Sequence, residues 1–502
     1  MMSFIIFEDV SYKYPRSRKF ALEKINLSVT EGEFLAVMGE NGSGKTTLCK
    51  LINGIIPHHH GGSLSGTVIV DGCKTRDSSV PELALKVGMV LDDPDAQLFT
   101  STVRHEAAFG PENICLSPLE IEDRVNFALS AAGLDGFQDR LPAALSGGEK
   151  QRLSIAAALA MKGKVLVLDE PLCRLDPYGV TQIMSVLNDI KKKHGITVVM
   201  ASHNSEMIAE YADRVCVLKH GRIAALDAAK NIFACRELPE ENGIKPLNDN
   251  KISPQIFTEC PAPRTPAVEI NNFCFKYPDG AAVENINLTI NDNDFIALIG
   301  NNGSGKTTLL KNITGLLRPS SGDIFIRGKN TKFLSVSEIS GETGFVMQNP
   351  DTQLFTDSVF NEVAFALKNA RKHGGNGKPR YKNRLSKTEI KNRAQEALYM
   401  VGLRDSGAFP HALSRSDRVK TVIACVLAMG PRIILFDEAD AGSDYKTTLE
   451  IMNIVKNLHS NGYTVLFVTH NLSLAHEYAR RLIQIDRNGV VFDKEQRTKN
   501  NE

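Results

Sequence analysis

Short, unbroken apolar runs punctuate this chain. Phe34–Met38, residues 165–168 and Thr197–Ala201 in the first half are answered by Phe295–Ile299, 433–436 and 464–469 in the second. Continuous Val, Ile, Leu and Phe runs, interleaved with helical stretches, are the pattern of strands buried on both faces. They predict a parallel sheet covered by helices. In each half the first run leads into a Gly-rich turn and then a helix, and two further buried strands follow. No run approaches the roughly 20 residues needed to cross a bilayer.

The halves are copies. GENGSGKTTL at 39–48 recurs as GNNGSGKTTL at 300–309, and DPDAQLFTSTVRHEAAF at 93–109 as NPDTQLFTDSVFNEVAF at 349–365. VLVLDE at 165–170 returns as IILFDE at 433–438, and the ASH ending at His203 as the VTH ending at His470. The spacing stays between 256 residues (Pro94 to Pro350) and 268 residues (Asp169 to Asp437), so the order is kept and only loops differ. A duplicated domain is the reading. The first domain is expected at 1–236, an extended connector bearing Pro254, Pro261, Pro263 and Pro266 at 237–266, the second domain at 267–495 and a polar tail at 496–502. A Lys- and Arg-rich insertion at 368–393 reads as a solvated loop leading into a helix.

Composition narrows the class. With 502 residues, 42% hydrophobic and 23% charged, the chain has the make-up of a multidomain globular protein. Its net charge of +1 provides no general field for nucleic acid. Nine Cys without a C-x-x-C pair, and residues 1–9 without a signal-type start, suggest reduced packing thiols and a cytosolic setting. His58, His59 and His60 precede a Gly-Gly turn and are read as turn residues, not as metal ligands.

The chemistry lies at the Gly-rich turns. Gly39, Glu40, Asn41, Gly42, Ser43, Gly44, Lys45 and Thr46 fit G-x-x-x-x-G-K-[ST], after a strand and before a helix. Gly300, Asn301, Asn302, Gly303, Ser304, Gly305, Lys306 and Thr307 repeat the fit. Such loops cradle phosphates with backbone N–H groups, the Lys adds a point charge, and the Thr hydroxyl can ligate Mg²⁺. Asp169-Glu170 and Asp437-Glu438 close buried strands, where the Asp suits a Mg²⁺ role and the Glu can polarise a water. His203 and His470 each follow a further strand-like run, in reach of such a site.

Ser146, Gly147, Gly148 and Glu149, following Leu145 and lying between the phosphate loop and Asp169, bring in a resemblance: the chain resembles the ATP-binding-cassette (ABC) ATPases over nearly its whole length. The resemblance implies an α/β fold of two tandem ABC ATPase domains. Each would have a P-loop (RecA-like) core, an antiparallel β subdomain and an α-helical signature subdomain. It implies ATP and Mg²⁺ as cofactors, Tyr14 and Tyr277 as adenine-stacking aromatics, and two cassettes paired head to tail, within the chain or between copies. Each ATP would then lie between one cassette's phosphate loop and the other's signature.

The copies are unequal. Leu413-Ser-Arg-Ser-Asp417 stands where the first copy has Leu-Ser-Gly-Gly-Glu, so Arg415 and Ser416 add Cβ atoms against the expected phosphate. The family's metal- and water-sensing Gln is Gln348 in the second copy, and Asp92 stands in its place in the first. Under head-to-tail pairing both departures fall in one composite site, built on Lys45, Glu170 and His203. The other, with Lys306, Gln348, Glu438, His470 and the intact signature, keeps every part. It is expected to hydrolyse ATP while the first binds it with slow or no turnover.

P-D-x-Q-L-F-T-x-[ST]-V-x-x-E-x-A-F, at 94–109 and 350–365, is similar to the ATPase subunits of energy-coupling-factor importers of the cobalt, nickel and vitamin type. That resemblance implies a peripheral ATPase on the cytoplasmic face of a prokaryotic inner membrane. Its partners would be an integral membrane scaffold subunit and a solute-binding membrane subunit, with no nucleic acid. Leu98-Phe99 and Leu354-Phe355 are the expected anchors. The alternative is a soluble twin-cassette translation factor, though that class carries a long charged helical arm where this chain has a short Pro-bearing connector.

Overall fold

The computed structural model describes residues 3–173, 175–247, 257–258, 265–278, 280, 282–369 and 385–496. Most of the 248–264 stretch of the connector, residues 370–384 of the basic insertion and the tail beyond 496 lie outside the described residues. The chain forms two compact units, one built on residues 1–249, the other on 250–443 with 447–502.

In the first unit a six-stranded sheet runs Arg222–Ala228, Arg214–Lys219, Phe34–Met38, Thr197–Ala201, Val165–Asp169, Val87–Val90. All neighbours are parallel except the first pair. Its central strands Phe34–Met38, Val165–Asp169 and Thr197–Ala201 are buried at every position because each face meets a different layer. Phe34, Ala36, Met38, Leu166 and Leu168 pack toward the helices. Leu35, Val37, Val165 and Val167 pack toward a four-stranded antiparallel sheet, Leu22–Thr30, Ser3–Lys13, Ser63–Val70 and Cys73–Lys74. A period of two with both faces buried leaves no polar position.

The second unit repeats the plan. Its larger sheet has seven strands, with Phe295–Ile299 between Thr464–Val468 and Arg481–Asp486, and Ile433–Asp437 beside Thr464–Val468. The extra edge strand is Phe257–Thr258, pairing antiparallel with Gly489–Gln496. The buried Arg481 guanidinium donates to Asp294 (3.0 Å), to Asp493 (2.7 and 2.6 Å) and to the Thr289 carbonyl (2.9 Å), joining both sheets.

The connector departs from the extended segment expected. Residues 237–241 form a helical turn, and Leu238 and the buried Ile244 join the first unit's core. The apolar side chains of this stretch outweigh its Pro content.

Candidate functional site

Each phosphate loop is shaped by glycines its surroundings require. Gly39 (φ +142°) has the Leu218 carbonyl where a Cβ would stand, 2.1 Å away, and Gly300 (φ +154°) has that of Ile485 at 2.5 Å. Gly44 (φ +112°) and Gly305 (φ +98°) are the N-caps of the helices Lys45–Ile52 and Lys306–Ile313, in a conformation that favours Gly. Asn41 and Gly42, and Asn301, Asn302 and Gly303, form the exposed rim; Glu40 is half-buried beside them.

Lys45 and Lys306 are buried, their ammonium groups arched over the loop carbonyls of Gly39 (3.0 Å) and Glu40 (3.2 Å), and of Gly300 (2.8 Å) and Asn301 (2.9 Å). The buried Ser43 and Ser304 hydroxyls have no hydrogen-bond partner among the described residues. An anion with several acceptor oxygens would satisfy the hydroxyls, the ammonium and the helix N-terminus together. The residues fit a triphosphate.

Thr46 Oγ1 donates to Asp169 Oδ1 (3.1 Å), and Thr307 Oγ1 to Asp437 Oδ1 (3.0 Å). Burial raises both Asp carboxyls, Asp437 to about 6. Such a desolvated carboxylate beside a hydroxyl suits a hard divalent cation, which would stabilise the charged form.

Glu170 and Glu438 follow at φ +50° and +47°, left-handed values that are costly for a side chain. Glu170 Oε1 lies 3.1 Å from His203 Nε2 and 3.9 Å from Lys45 Nζ. Burial lifts Glu170 to about 7, against the pull of Lys45, and lowers His203 to about 3. Hence the Glu170–His203 contact joins an acid whose burial favours its protonated form to a neutral imidazole. His203 Nε2 is also 3.1 Å from Asn41 Oδ1 in the loop. In the second unit His470 Nε2 stands 2.8 Å from Glu438 Oε1, and Gln348 Nε2 donates to Glu438 Oε2 (2.8 Å). The Tyr14 and Tyr277 hydroxyls bond Thr47 (3.2 Å) and Thr308 (3.0 Å) on the phosphate-loop helices, setting each ring beside its loop.

Ser146 caps the helix Gly147–Ala160 in a reciprocal box with Glu149: Glu149 N donates to Ser146 Oγ (3.4 Å) and Ser146 N to Glu149 Oε2 (2.7 Å). Gly147 is exposed, and a Cβ added there would meet nothing within 4 Å. Its own unit does not require that glycine. Ser414 caps Arg415–Met429 similarly, through Asp417 N (3.2 Å).

The repeated P-D-x-Q-L-F segment is a rigid presenting turn. Gln97 accepts from Leu91 N and donates to Met89 O; Gln353 does the same with Met347 and Phe345, at 2.8 to 3.1 Å. The Glu106 carboxylate accepts from Phe99 N (3.1 Å) and Thr100 N (2.8 Å), and that of Glu362 from Phe355 N and Thr356 N (both 2.5 Å). The result corrects the anchor reading: Leu98 and Leu354 turn inward onto the core, while Phe99 (68% exposed) and Phe355 (64%) face outward. Each ring packs edge-on against the second Phe of the motif, Phe109 at 4.8 Å and Phe365 at 4.9 Å. The hydrophobicity of the Leu-Phe pair could not separate the two directions; the turn does.

One functional candidate escaped sequence reasoning, and one residue already singled out makes an unforeseen contact. Asp440, aligned with Leu172, accepts from Thr469 Oγ1 (2.9 Å), and burial lifts its carboxyl to about 6. Aligning the copies two residues past the Glu would have shown it. Arg415 donates through a terminal nitrogen to the Gln348 carbonyl (3.2 Å), a contact no motif indicates.

The family model described as ABC transporter matches residues 22–173 and 283–441. A Methanosarcina acetivorans protein provisionally named an ABC transporter ATP-binding protein is 35% identical, the match covering 97% of this chain and 85% of that one. A similarly named protein of Caldanaerobacter subterraneus subsp. tengcongensis is 34% identical over 97% of this chain and 90% of its own. Among solved structures, cbiO1 from Clostridium perfringens, described as part of the ABC transporter complex cbiONQ, is 36% identical. That match covers 48% of this chain and 94% of the other, with a TM-score of 0.44.

Proposed function

This chain belongs to the ABC transporter family as an ATP-binding ATPase, and on that premise we propose that it is the energy-supplying subunit of an importer with separate membrane subunits. Cassettes pair head to tail around ATP, within the chain or between copies. The site of Lys306, Gln348, Glu438 and His470, completed by Ser146, Gly147, Gly148 and Glu149, hydrolyses ATP. The site of Lys45, Glu170 and His203, facing Ser414 to Asp417, binds ATP and turns over slowly. In this reading the exposed Gly147, with no Cβ of its own, leaves the backbone at the start of its helix open to an approaching phosphate.

In the hydrolytic site the loop amides and Lys306 hold the β- and γ-phosphates. Glu438 takes up proton density from the attacking water, and His470 and Gln348, both at its carboxylate, fix its orientation. Mg²⁺, when bound, neutralises charge on the transferred phosphoryl group; Thr307, Asp437 and Gln348 would hold it there, with Thr46 and Asp169 in the other site. Tyr14 and Tyr277 would stack on adenine.

The observation that carries the importer reading is the pair of outward Phe couples, Phe99–Phe109 and Phe355–Phe365, each on a turn just past the Asp92 or Gln348 position. Rigid aromatics held out by polar pins are effective anchors for a partner's helix. Among the described residues no helix is long and apolar enough to cross a membrane. The partners are a membrane scaffold and a solute-binding subunit, with this chain peripheral on the cytoplasmic face of a prokaryotic inner membrane. The test is affinity purification from detergent-solubilised membranes with mass spectrometry. Integral membrane proteins should accompany the wild type and be depleted from the F99A/F355A double variant. Recovery with ribosomes and without a membrane protein would overturn the reading.

A further inference from the structure

The second copy's altered signature carries a device of its own. Where the first copy has Gly147, the second has Arg415, the opening residue of the helix Arg415–Met429. Its half-buried guanidinium bonds the backbone carbonyl of Gln348 at 3.2 Å, and its central carbon lies 3.8 Å from where a side chain added to Gly442, in the loop after Glu438, would begin. Gln348 in turn donates through its side chain to Glu438 (2.8 Å). One residue therefore spans the signature helix, the Gln348 turn and the loop beyond the candidate catalytic Glu.

A second link between the same elements serves as a reference. Arg418, one turn along, holds Asp351 with 2.6 and 2.8 Å bonds, and the first copy has the equivalent in Lys150 on Asp95 at 2.7 Å. That link is common to both copies and belongs to the fold. The Arg415 link cannot exist in the first copy, because Gly147 offers no side chain.

We propose that Arg415 is a positioning residue for ATP hydrolysis in its own cassette: it clamps the backbone of Gln348 so that the Gln348 amide meets Glu438. This rests on the assignment of Lys306, Gln348, Glu438 and His470 to the hydrolytic site. The substitution that spoils one composite site as a phosphate cage thus steadies the other, and the signature segment facing one nucleotide is tied to the residue sensing the second. A planar, permanently charged donor suits the task, since a carbonyl accepts strongly from a guanidinium.

The experiment uses the full chain carrying E170Q, which silences the weaker site, and compares it with and without R415G. The clamp predicts that kcat falls about tenfold, with KM for ATP within about twofold and a higher half-saturating Mg²⁺ concentration. R415K, whose ammonium can reach the same carbonyl, should recover part of kcat. In a Q348A background R415G should add no further loss, the two acting through one contact. An unchanged or increased kcat in R415G would overturn the clamp, as would a full additional loss on top of Q348A. If E438Q leaves turnover at the wild-type level, it is the assignment of the hydrolytic site that fails. If E438Q abolishes turnover and R415G does not alter it, the clamp alone fails.

Discussion

Gln348 gives its side-chain amide to Glu438, Nε2 to Oε2 over 2.8 Å, whereas the residue in its place in the first copy, Asp92, is a carboxylate that adds to the negative charge around Glu170. The same backbone position thus supplies a donor in one unit and a repulsive acid in the other. Donor and acid act oppositely on a carboxylate that must stay ionised to accept a proton.

Turnover should accordingly depend on one Glu. Glu438→Gln is expected to lower kcat at least ~100-fold, the usual scale for losing a positioned base, while Glu170→Gln changes it by less than about threefold. Steady-state phosphate release measures both. The reverse order would show the assignment of the two sites to be inverted.

The environment of Glu170 also has a signature in stability. Its carboxyl titrates near 7 in the fold, raised from 4.5 chiefly by burial. A raised acid favours the folded state below its unfolded value and loses that advantage as pH climbs from 4.5 to about 7. Above 7 the buried charge costs about 3 kcal/mol. Without nucleotide, Glu170→Gln should therefore melt higher than wild type at pH 8, with the difference shrinking toward zero near pH 4.5. A melting difference independent of pH would contradict the shift.

Repair of the weaker site should need both defects corrected. In an E438Q background, D92Q alone leaves Arg415 and Ser416 facing the phosphate and should restore little. Adding R415G and S416G should raise ATP hydrolysis at least about tenfold over E438Q. Equal activity of the single and triple repairs would mean that the signature residues do not limit this site.

A buried polar anchor of the second unit is Arg481, whose side chain is 7% exposed against 3% for Asp294. Replacing it with Met keeps bulk but leaves the Asp294 charge without its guanidinium partner, at an expected cost of ~3 kcal/mol. Chemical denaturation should show the transition of the second unit moving while that of the first stays. A shift below ~0.5 kcal/mol would mean that the packing carries the junction alone.

Much of this molecule could be read from the chain. The phosphate loops carry their own geometry, because Gly39, Gly44, Gly300 and Gly305 sit at backbone angles or contacts that other residues resist. The Ser146–Glu149 box is visible as S-x-x-E, and the buried strands as runs without polar positions. The copies could be aligned by eye, and their unequal motifs pointed to an unequal pair. All of these are local: each depends on residues within a few positions of one another, or on a repeat of the same local pattern.

What needed three dimensions was direction and distance. Leu98 and Phe99 are adjacent and both apolar, yet the turn pinned by Gln97 and Glu106 sends one inward and the other to solvent. Ile244 lies in a Pro-bearing connector, and only the core it reaches reveals it as part of the first unit. Arg415 and Gln348 are 67 positions apart, so no spacing rule could join a guanidinium to that carbonyl. Sequence determined which backbone shapes and chemical groups were available; packing between distant segments decided which groups meet, because burial and hydrogen bonding act on neighbours in space rather than along the chain.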